Sequence, residues 1–405
     1  MICATFVLLF CSLVCADSVC DSEAVCTGAP VPPTSSHMDE LARCQALGSV
    51  DARACAAAQC DWVPDKTGGY CTKRFVVPRL SDDAAHAGFA SEADVRRWGA
   101  QHCAALGWRA RTGPLPRVFD TFIFYNELEL LEIRLNELSD VIDRFVLVEA
   151  DRTFTFKPKP LHFKEHEAEY DTFLHQISAF NCPLPAEPPG AHDDYKRGWN
   201  REHAQRACVH DALAGLREGD RPRPDDIVLL SDVDEVPRRE PILALKACDV
   251  DSAELERGVV FVERQHAYTF YYELGERSDW PGYANWPGTV AVSQPAFERM
   301  HAGGVRFARD NKALRRIYDA GWHFSPFPFG DASRVVDKLG AWAHQEERRQ
   351  TSEYRDQRRW QAAIAKGDGC RKLTKRSDYL ALPLYVRDNR QRYEHLLLPE
   401  SELSE

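Results

Sequence analysis

The stretch that decides the fold is residues 118–149, which read VFDTFIFYNELELLEIRLNELSDVIDRFVLVE. Its first eight residues form an apolar, aromatic run that is typical of a strand. Leucines then recur at steps of three and four residues between Leu128 and Leu138, which predicts a helix with one buried face. The run 144–149 predicts a second buried strand that ends on Glu149. Strand, helix and strand in this order indicate an α/β fold with a mostly parallel, Rossmann-like sheet flanked by helices.

An acidic motif follows the third predicted strand, Ile227–Leu230, and a fourth apolar run, Val259–Val262, continues the pattern. The motif is Ser231-Asp232-Val233-Asp234-Glu235. Alternation along an extended segment would aim the carboxylates of Asp232 and Asp234 the same way. They would then converge where α/β sheets bind ligands, beyond the carboxyl ends of the strands. Carboxylate pairs of this kind suit Mg²⁺ or Mn²⁺, held together with the phosphates of a substrate.

The motif has one structural interpretation, an acidic cap on a helix that begins at Pro237. Three functional interpretations also remain open. In haloacid-dehalogenase-like phosphatases the first aspartate is a nucleophile that forms an aspartyl-phosphate. In nucleotide-sugar glycosyltransferases the carboxylates hold a metal ion on the diphosphate of the donor. A non-catalytic glycan-binding module could also retain the fold. Two strand–helix units precede the motif here, enough to build a nucleotide pocket, and this order favours the transferase.

Several ordered segments resemble glycosyltransferase family 17. They are residues 117–138, residues 148–161, the acidic motif through Pro237, Trp286-Pro287-Gly288-Thr289, and Gly321-Trp322-His323-Phe324-Ser325. The resemblance spans roughly residues 118–398. It implies a GT-A type fold, a UDP-sugar donor such as UDP-GlcNAc, and Mn²⁺ or Mg²⁺ as the cofactor. The implied reaction is the inverting transfer of N-acetylglucosamine to a glycan acceptor, and the acceptor known for the family is the β-linked mannose of N-glycans.

The resemblance also implies roles for individual residues. Those near the metal ion are Asp232, Asp234 and His323. Those expected at the nucleotide or its diphosphate are Asn126, Glu127, Glu149, Arg201, Arg206 and Lys338. Turn, helix-cap and surface roles are the alternatives for Asn126, Glu149 and Arg201. Two departures from the family pattern are Phe156, where the family tends to have glycine, and Ala207, where it usually has asparagine.

Inversion requires a general base that takes the proton of the acceptor hydroxyl. The candidates are Glu263 after its strand, Asp279 beside Trp280, and Glu235 in the acidic motif. Aromatic residues between Tyr268 and Trp286 could stack on sugar rings, and ordinary core packing is the alternative explanation for them.

Composition limits the possible partners of the protein, and cysteine placement predicts where its disulfides lie. The 405 residues carry 51 basic and 62 acidic side chains, and this net charge of −11 argues against a nucleic-acid partner. Six of the 14 cysteines lie between Cys20 and Cys71, which predicts a disulfide framework in this segment and not in the bulk of the chain. Cysteines 44, 55, 60 and 71 suggest two bridges in any of three connectivities, and a zinc site is the competing interpretation.

The predicted domains are a signal peptide or short signal anchor at residues 1–16, a cysteine-rich module at 17–76, a helical connector at 77–116, a glycosyltransferase domain at 117–398 and a tail at 399–405. The expected location is the lumen of the secretory pathway, in the Golgi or endoplasmic reticulum, with secretion as the alternative. Membrane association is expected only if the N-terminal segment is an uncleaved anchor.

Overall fold

A computed structural model describes residues 42–47, 52–63, 70–72, 74–187, 194–274, 285–343, 356–366 and 373–402. The strands in chain order are β1 (Asp61–Val63), β2 (Tyr70–Thr72), β3 (Phe75–Val76), β4 (Arg109–Ala110), β5 (Val118–Ile123), β6 (Arg144–Glu149), β7 (Ile177–Asn181), β8 (Ile227–Asp232), β9 (Glu235–Pro237), β10 (Cys248–Asp249), β11 (Val259–His266), β12 (Tyr272–Leu274), β13 (Asn285–Ser293), β14 (Arg315–Phe324) and β15 (Leu373–Lys375). The α-helices with named bounds are Ala52–Ala57, Asp82–Ala87, Glu92–His102, Leu128–Leu138, His162–His166, Asp194–Ala214, Arg239–Ala247, Ser252–Arg257, Gln294–Ala308, Ala332–Ala341, Gln357–Lys366, Leu384–Asp388 and Arg390–Tyr393.

The main sheet has the strand order β15-β12-β11-β13-β8-β5-β6-β7, and β14 pairs with β11, β3 and β9. Strands β8, β5, β6 and β7 are parallel neighbours, which confirms the predicted mostly parallel central sheet. The fourth predicted strand, β11, is not their neighbour. Strand β13 lies between β8 and β11 and is antiparallel to both. The GT-A type of the sheet stays a prediction.

The parallel strands are continuous apolar runs because both of their faces are buried. On one face Phe122 and Leu147 pack with the helix Leu128–Leu138, whose predicted leucine stripe is confirmed. On the other face Phe119 and Val146 pack with residues of the helices Asp194–Ala214 and Gln294–Ala308. The carboxyl ends of β8 and β6 place Asp232 and Glu149 at one edge of the sheet.

Disulfides are not confined to the N-terminal segment, so that prediction was wrong. Cys103–Cys248 and Cys182–Cys208 lie in the main body of the chain and link residues 145 and 26 positions apart. Each pair joins elements that meet only in the folded protein, and local cysteine density carries no information on such pairs. In the N-terminal module the structure selects one of the three connectivities, Cys44–Cys60 with Cys55–Cys71.

The segment predicted to be a helical connector packs against the core. Trp98 of the helix Glu92–His102 is buried in the same cluster as the helix Arg239–Ala247. These two helices approach closely, since a Cβ at Gly99 would lie 2.9 Å from the Cβ of Ala247. Over the described ranges, no helix combines the length and apolarity needed to cross a membrane. The predicted signal segment, residues 1–16, lies outside those ranges.

Candidate functional site

Arg134 fixes the backbone of the acidic motif. This fully buried side chain of the helix Leu128–Leu138 forms a two-bond ion pair with Asp120 of β5, at 2.6 and 2.7 Å. It also donates to Ser231 Oγ at 2.6 Å and to the carbonyl oxygens of Asp232 and Glu235, at 3.2 and 2.6 Å. One buried cation therefore ties β5, β8 and β9 together beneath the candidate site.

Asp232, at the end of β8, is held by two arginines. Arg206 of the helix Asp194–Ala214 donates to both of its carboxylate oxygens, at 2.5 and 3.1 Å. Arg306 of the helix Gln294–Ala308 donates to Oδ2 at 2.7 Å. Burial alone would raise the pKa of Asp232, but the two guanidinium groups hold that pKa well below its ordinary value. Asp232 is therefore a carboxylate at any physiological pH.

Glu235 is buried beside Asp232 and accepts four hydrogen bonds of 3 Å or less. Arg306 reaches its two oxygens at 2.6 and 2.8 Å, Trp286 Nε1 donates at 2.8 Å, and the backbone N–H of Asp232 donates at 2.8 Å. Arg309 lies farther away, at 3.4 Å. Burial opposes the ionisation of Glu235, yet Arg306 lowers its pKa to about 2. A carboxylate so tightly engaged is suited to holding arginines in place and not to taking a proton.

Asp234 faces a different set of partners. Its Oδ2 pairs with Lys338 Nζ at 2.7 Å, and its Oδ1 lies 3.9 Å from His323 Nε2. Lys338 also reaches Glu127 at 3.4 Å. The prediction that Asp232 and Asp234 point the same way fails because residues 233–234 form a turn between β8 and β9. Strand alternation does not apply across a turn.

His323, on β14, is held as a neutral imidazole beside Asp234. Burial lowers its pKa, although the neighbouring carboxylates of Asp234 and Glu235 oppose that shift. Its ring stacks on the indole of Trp286 with centroids 4.4 Å apart, and its Nδ1 has no hydrogen-bond partner among the described residues. A neutral ring with its Nε2 facing a carboxylate is an arrangement that can bind a metal ion.

Asp234 and His323 have the atoms most open to a divalent cation among the residues of the acidic cluster. The described ranges contain no group of three or more His, Cys, Asp or Glu side chains arranged to hold a metal ion. Asp232 is the less open ligand, because arginines donate three hydrogen bonds to its two oxygens. Asp234 and His323 supply one oxygen and one nitrogen, and Mg²⁺ or Mn²⁺ sites commonly take their remaining ligands from substrate phosphates and water.

The residues predicted to meet the nucleotide are spread around the same sheet edge. Glu149 is buried and accepts from the backbone N–H groups of Phe163 and Lys164, so it caps the short helix His162–His166. Glu149 therefore has the helix-cap role that the sequence offered as the alternative to nucleotide binding. Glu127 accepts from the N–H groups of Tyr125 and Asn126 and pairs with Lys338, which connects it to Asp234.

Arg201 supports a loop and is not paired with Asp232. It donates to the carbonyl oxygens of Phe154, Pro185 and Ala186 at 2.5 to 3.0 Å, and its guanidinium lies 4.7 Å from the centroid of the Phe156 ring. Phe156 has a φ of 64°, the left-handed region that glycine adopts most readily. Phe156 therefore keeps a backbone conformation that glycine would favour, and its ring lies beneath Arg201.

Of the base candidates, Glu263 is enclosed by the sheet and Asp279 lies outside the described residues. Glu263 is 1% exposed, and its Oε1 accepts from the backbone N–H and the hydroxyl of Thr289 at 3.0 and 2.8 Å. Burial raises its pKa well above the ordinary value, and the charge of Glu235 adds to that shift. Burial and the neighbouring charge therefore both favour the protonated form of Glu263.

Sequence reasoning missed Arg134, Asp120, Arg306 and Arg309. Arg306 and Arg309 are three residues apart, so they share a face of their helical segment, but nothing near them in sequence signals a site. The aromatic residues between Tyr268 and Trp286, predicted either to pack in the core or to stack on sugars, do not share one environment. Tyr268 and Phe270 are core residues, whereas Trp286 lies in the site.

The fold and site are those of an α/β protein with an acidic, arginine-braced cluster at the carboxyl edge of parallel strands. The sequence profile described as Glycosyltransferase family 17 matches residues 91–374. The chain belongs to this family.

Curated relatives share one segment with the chain. The β-1,4-mannosyl-glycoprotein 4-β-N-acetylglucosaminyltransferases of Rattus norvegicus and Homo sapiens are each 33% identical over 136 residues, and that of Mus musculus is 32% identical over the same length. The aligned segment is 33% of this chain and 24% of each relative. The chain thus spans about a quarter of the length of these relatives.

Proposed function

We propose that this protein transfers N-acetylglucosamine from UDP-GlcNAc to a glycan acceptor with inversion at the anomeric carbon. The observation that carries the proposal is the cluster at the end of β8, where Asp234 lies between Lys338 and a neutral His323. Family membership and the names of the relatives support this chemistry over the phosphatase alternative. Those names specify a glycoprotein substrate, which supports the expected location in the lumen of the secretory pathway, in the Golgi or endoplasmic reticulum.

The charge balance of the site supports dependence on a divalent cation. Two sets of ion pairs line the site. Glu202, Asp232 and Glu235 pair with three arginines, Arg206, Arg306 and Arg309, whereas Glu127 and Asp234 share one cation, Lys338. With His323 neutral, one negative charge remains before a negative diphosphate binds. A divalent ion would reverse that sign, and when bound it supplies Lewis-acid stabilisation of the leaving nucleoside diphosphate.

The chain's own residues then have separate tasks. Asp234 and His323 would hold Mn²⁺ or Mg²⁺. Lys338, whose side chain is 31% exposed, would neutralise the diphosphate. Burial opposes the charged form of Lys338, but the carboxylates of Asp234 and Glu127 raise its pKa, so it remains a cation. Arg206 and Arg306 hold Asp232 and keep the loop in position.

In the proposed transfer, the acceptor hydroxyl oxygen forms a bond to the anomeric carbon as the bond from that carbon to the diphosphate oxygen breaks. A general base takes the hydroxyl proton, and the diphosphate leaves with the bonding electron pair. Glu263 suits this role poorly because it is enclosed by the sheet and bonded to Thr289, and Glu235 because its oxygens are occupied. Asp279 stays a candidate for the base.

The test is release of UDP across a panel of UDP-sugars, with and without a glycan ending in β-linked mannose, in Mn²⁺, Mg²⁺ or EDTA. We expect turnover of UDP-GlcNAc that requires a divalent ion and is lost in Asp234→Asn. Phosphate release from a phosphomonoester would favour the phosphatase. Glycan binding without turnover of any donor would favour the non-catalytic module.

A further inference from the structure

One exposed aromatic side chain lies at the rim of the candidate site. Phe307, in the helix Gln294–Ala308, is 65% exposed, although its chain neighbour Arg306 is buried and bound to Asp232 and Glu235. A phenyl ring in water forfeits the stabilisation of burial. Its side chain is displayed next to the reaction centre, on a segment whose own position is fixed by ion pairs.

Phe307 belongs to a row of rings that crosses two helices. Its ring centroid is 6.0 Å from that of His203 at an interplanar angle of 72°, and His203 lies 6.2 Å from Trp199. His203 is exposed, and it follows Glu202 and precedes Arg206 in the helix Asp194–Ala214. Both helices that contribute rings therefore also contribute an arginine to Asp232.

The chemistry of this row fits a sugar ring better than a protein surface. A pyranose presents an apolar face of C–H groups and an edge of hydroxyls, which match an aromatic ring with polar residues around it. Arg309, Asp310 and Glu202 are such polar neighbours in sequence. A stable protein partner buries about 800 Å² on each side, far more than one exposed ring provides.

We propose that the exposed ring of Phe307, which His203 contacts edge to face, is a platform on which a pyranose ring of the acceptor glycan stacks, one or more residues away from the sugar that is modified. This inference rests on the proposed function, because it names the part of the same site that binds the acceptor. The platform holds the acceptor beside the Asp232 cluster and does not touch the donor.

The test compares four forms of Phe307 in the full chain. Phe307→Trp keeps a ring, Phe307→Leu keeps an apolar side chain without a ring, and Phe307→Ala removes both. We expect the KM for the acceptor to rise about tenfold in the Leu and Ala variants and to stay near the parent value in the Trp variant. The KM for UDP-GlcNAc and its slow hydrolysis without acceptor should not change.

A matched control and a direct binding measurement separate the outcomes. Val76→Ser removes another exposed apolar side chain, from β3, and should leave the acceptor KM unchanged. Saturation-transfer NMR with the glycan reports contact with the protein even if the parent transfers no sugar, so failure of the proposed function is distinguishable. An acceptor KM unaffected in all Phe307 variants would overturn the platform, as would an equal rise in the Trp variant. A loss of self-association in Phe307→Ala, with acceptor binding intact, would assign the ring to contact between two copies of the chain.

Discussion

The indole of Trp286 stacks on the imidazole of His323 with ring centroids 4.4 Å apart and an interplanar angle of 20°. The same indole donates to Glu235 at 2.8 Å and lies under the guanidinium of Arg309. Trp286 is thus a positioning residue. It sets the plane of His323 so that Nε2 faces Asp234.

We predict that Trp286→Leu weakens the binding of Mn²⁺ in the presence of UDP by about tenfold, because residues that orient a ligand typically contribute 10–100-fold to metal affinity. Trp286→Phe keeps the stack and should fall between the parent and the Leu variant. Electron paramagnetic resonance of free Mn²⁺ measures this without any turnover. Equal affinity in the parent and the Leu variant would remove Trp286 from the site.

The second prediction concerns the buried pair of Arg134 and Asp120. Arg134→Met leaves the Asp120 carboxylate buried without its partner and releases the backbone of the acidic motif. Breaking such a pair by removing one partner costs about 3–5 kcal/mol. Denaturant unfolding checks this. Arg334→Met is the control, since its pair with Glu129 is partly exposed and such pairs contribute at most about 1 kcal/mol. A smaller loss for Arg134→Met than for Arg334→Met would contradict this account.

Local elements could be predicted from the sequence, whereas contacts between distant residues could not. The leucine stripe of the helix Leu128–Leu138 and the apolar runs of β5, β6 and β8 are local periodic patterns, and the structure has them as predicted. Arg306 and Glu235 are 71 residues apart and meet only because β13 brings the following helix back across the sheet. No local pattern encodes such a meeting.

The acidic motif shows the same limit at shorter range. Its place after a buried strand was predictable, and so was a site at that edge. The directions of its side chains were not, because a turn at residues 233–234 separates Asp232 from Asp234. Arg134, 98 residues before Asp232 in the chain, fixes that turn through bonds to backbone carbonyls.

The third prediction separates Glu263 from the general base. Glu263→Gln should retain transfer because Glu263 is enclosed by the sheet and bonded to Thr289, whereas Asp279→Asn should abolish it. The variant should also change the dependence of stability on pH. With its pKa raised above 4.5 in the folded state, Glu263 contributes stability that is present below that pH and is lost as the pH rises through the folded pKa. The free energy of unfolding of Glu263→Gln should therefore fall less steeply above pH 4.5. Loss of transfer in Glu263→Gln, with normal folding, would restore Glu263 as the base.

The fourth prediction tests the close contact between Gly288 and Glu263. A Cβ at Gly288 would lie 2.1 Å from Glu263 Oε2, so Gly288→Ala should destabilise the protein by about 1–3 kcal/mol through overpacking. Glu263→Ala removes the atoms that would clash. The loss of stability in the double variant should therefore be smaller than the sum of the losses in the two single variants. Gly303→Ala is the matched control, because apart from the backbone of its own helix and its chain neighbours, no described atom lies within 4 Å of its Cβ position. Strict additivity of the two substitutions would contradict the contact.

The fifth prediction concerns the two disulfides of the main body. Their half-cystines are buried, and the closed loops differ in length, 145 residues for Cys103–Cys248 and 26 for Cys182–Cys208. Loop-closure entropy gives about 5 kcal/mol for the longer loop and about 3.5 kcal/mol for the shorter one. Replacing both cysteines of a pair by alanine should therefore cost about 1.5 kcal/mol more at the first bridge than at the second. Equilibrium unfolding of the two double variants measures the difference, with mass spectrometry confirming that the remaining bridges are oxidised. The longer loop contains the segments that form β5, β6, β7 and β8, so its bridge restrains all of these segments in the unfolded chain. A larger loss at Cys182–Cys208 would show that local packing at the bridges, and not the length of chain they close, governs their contribution.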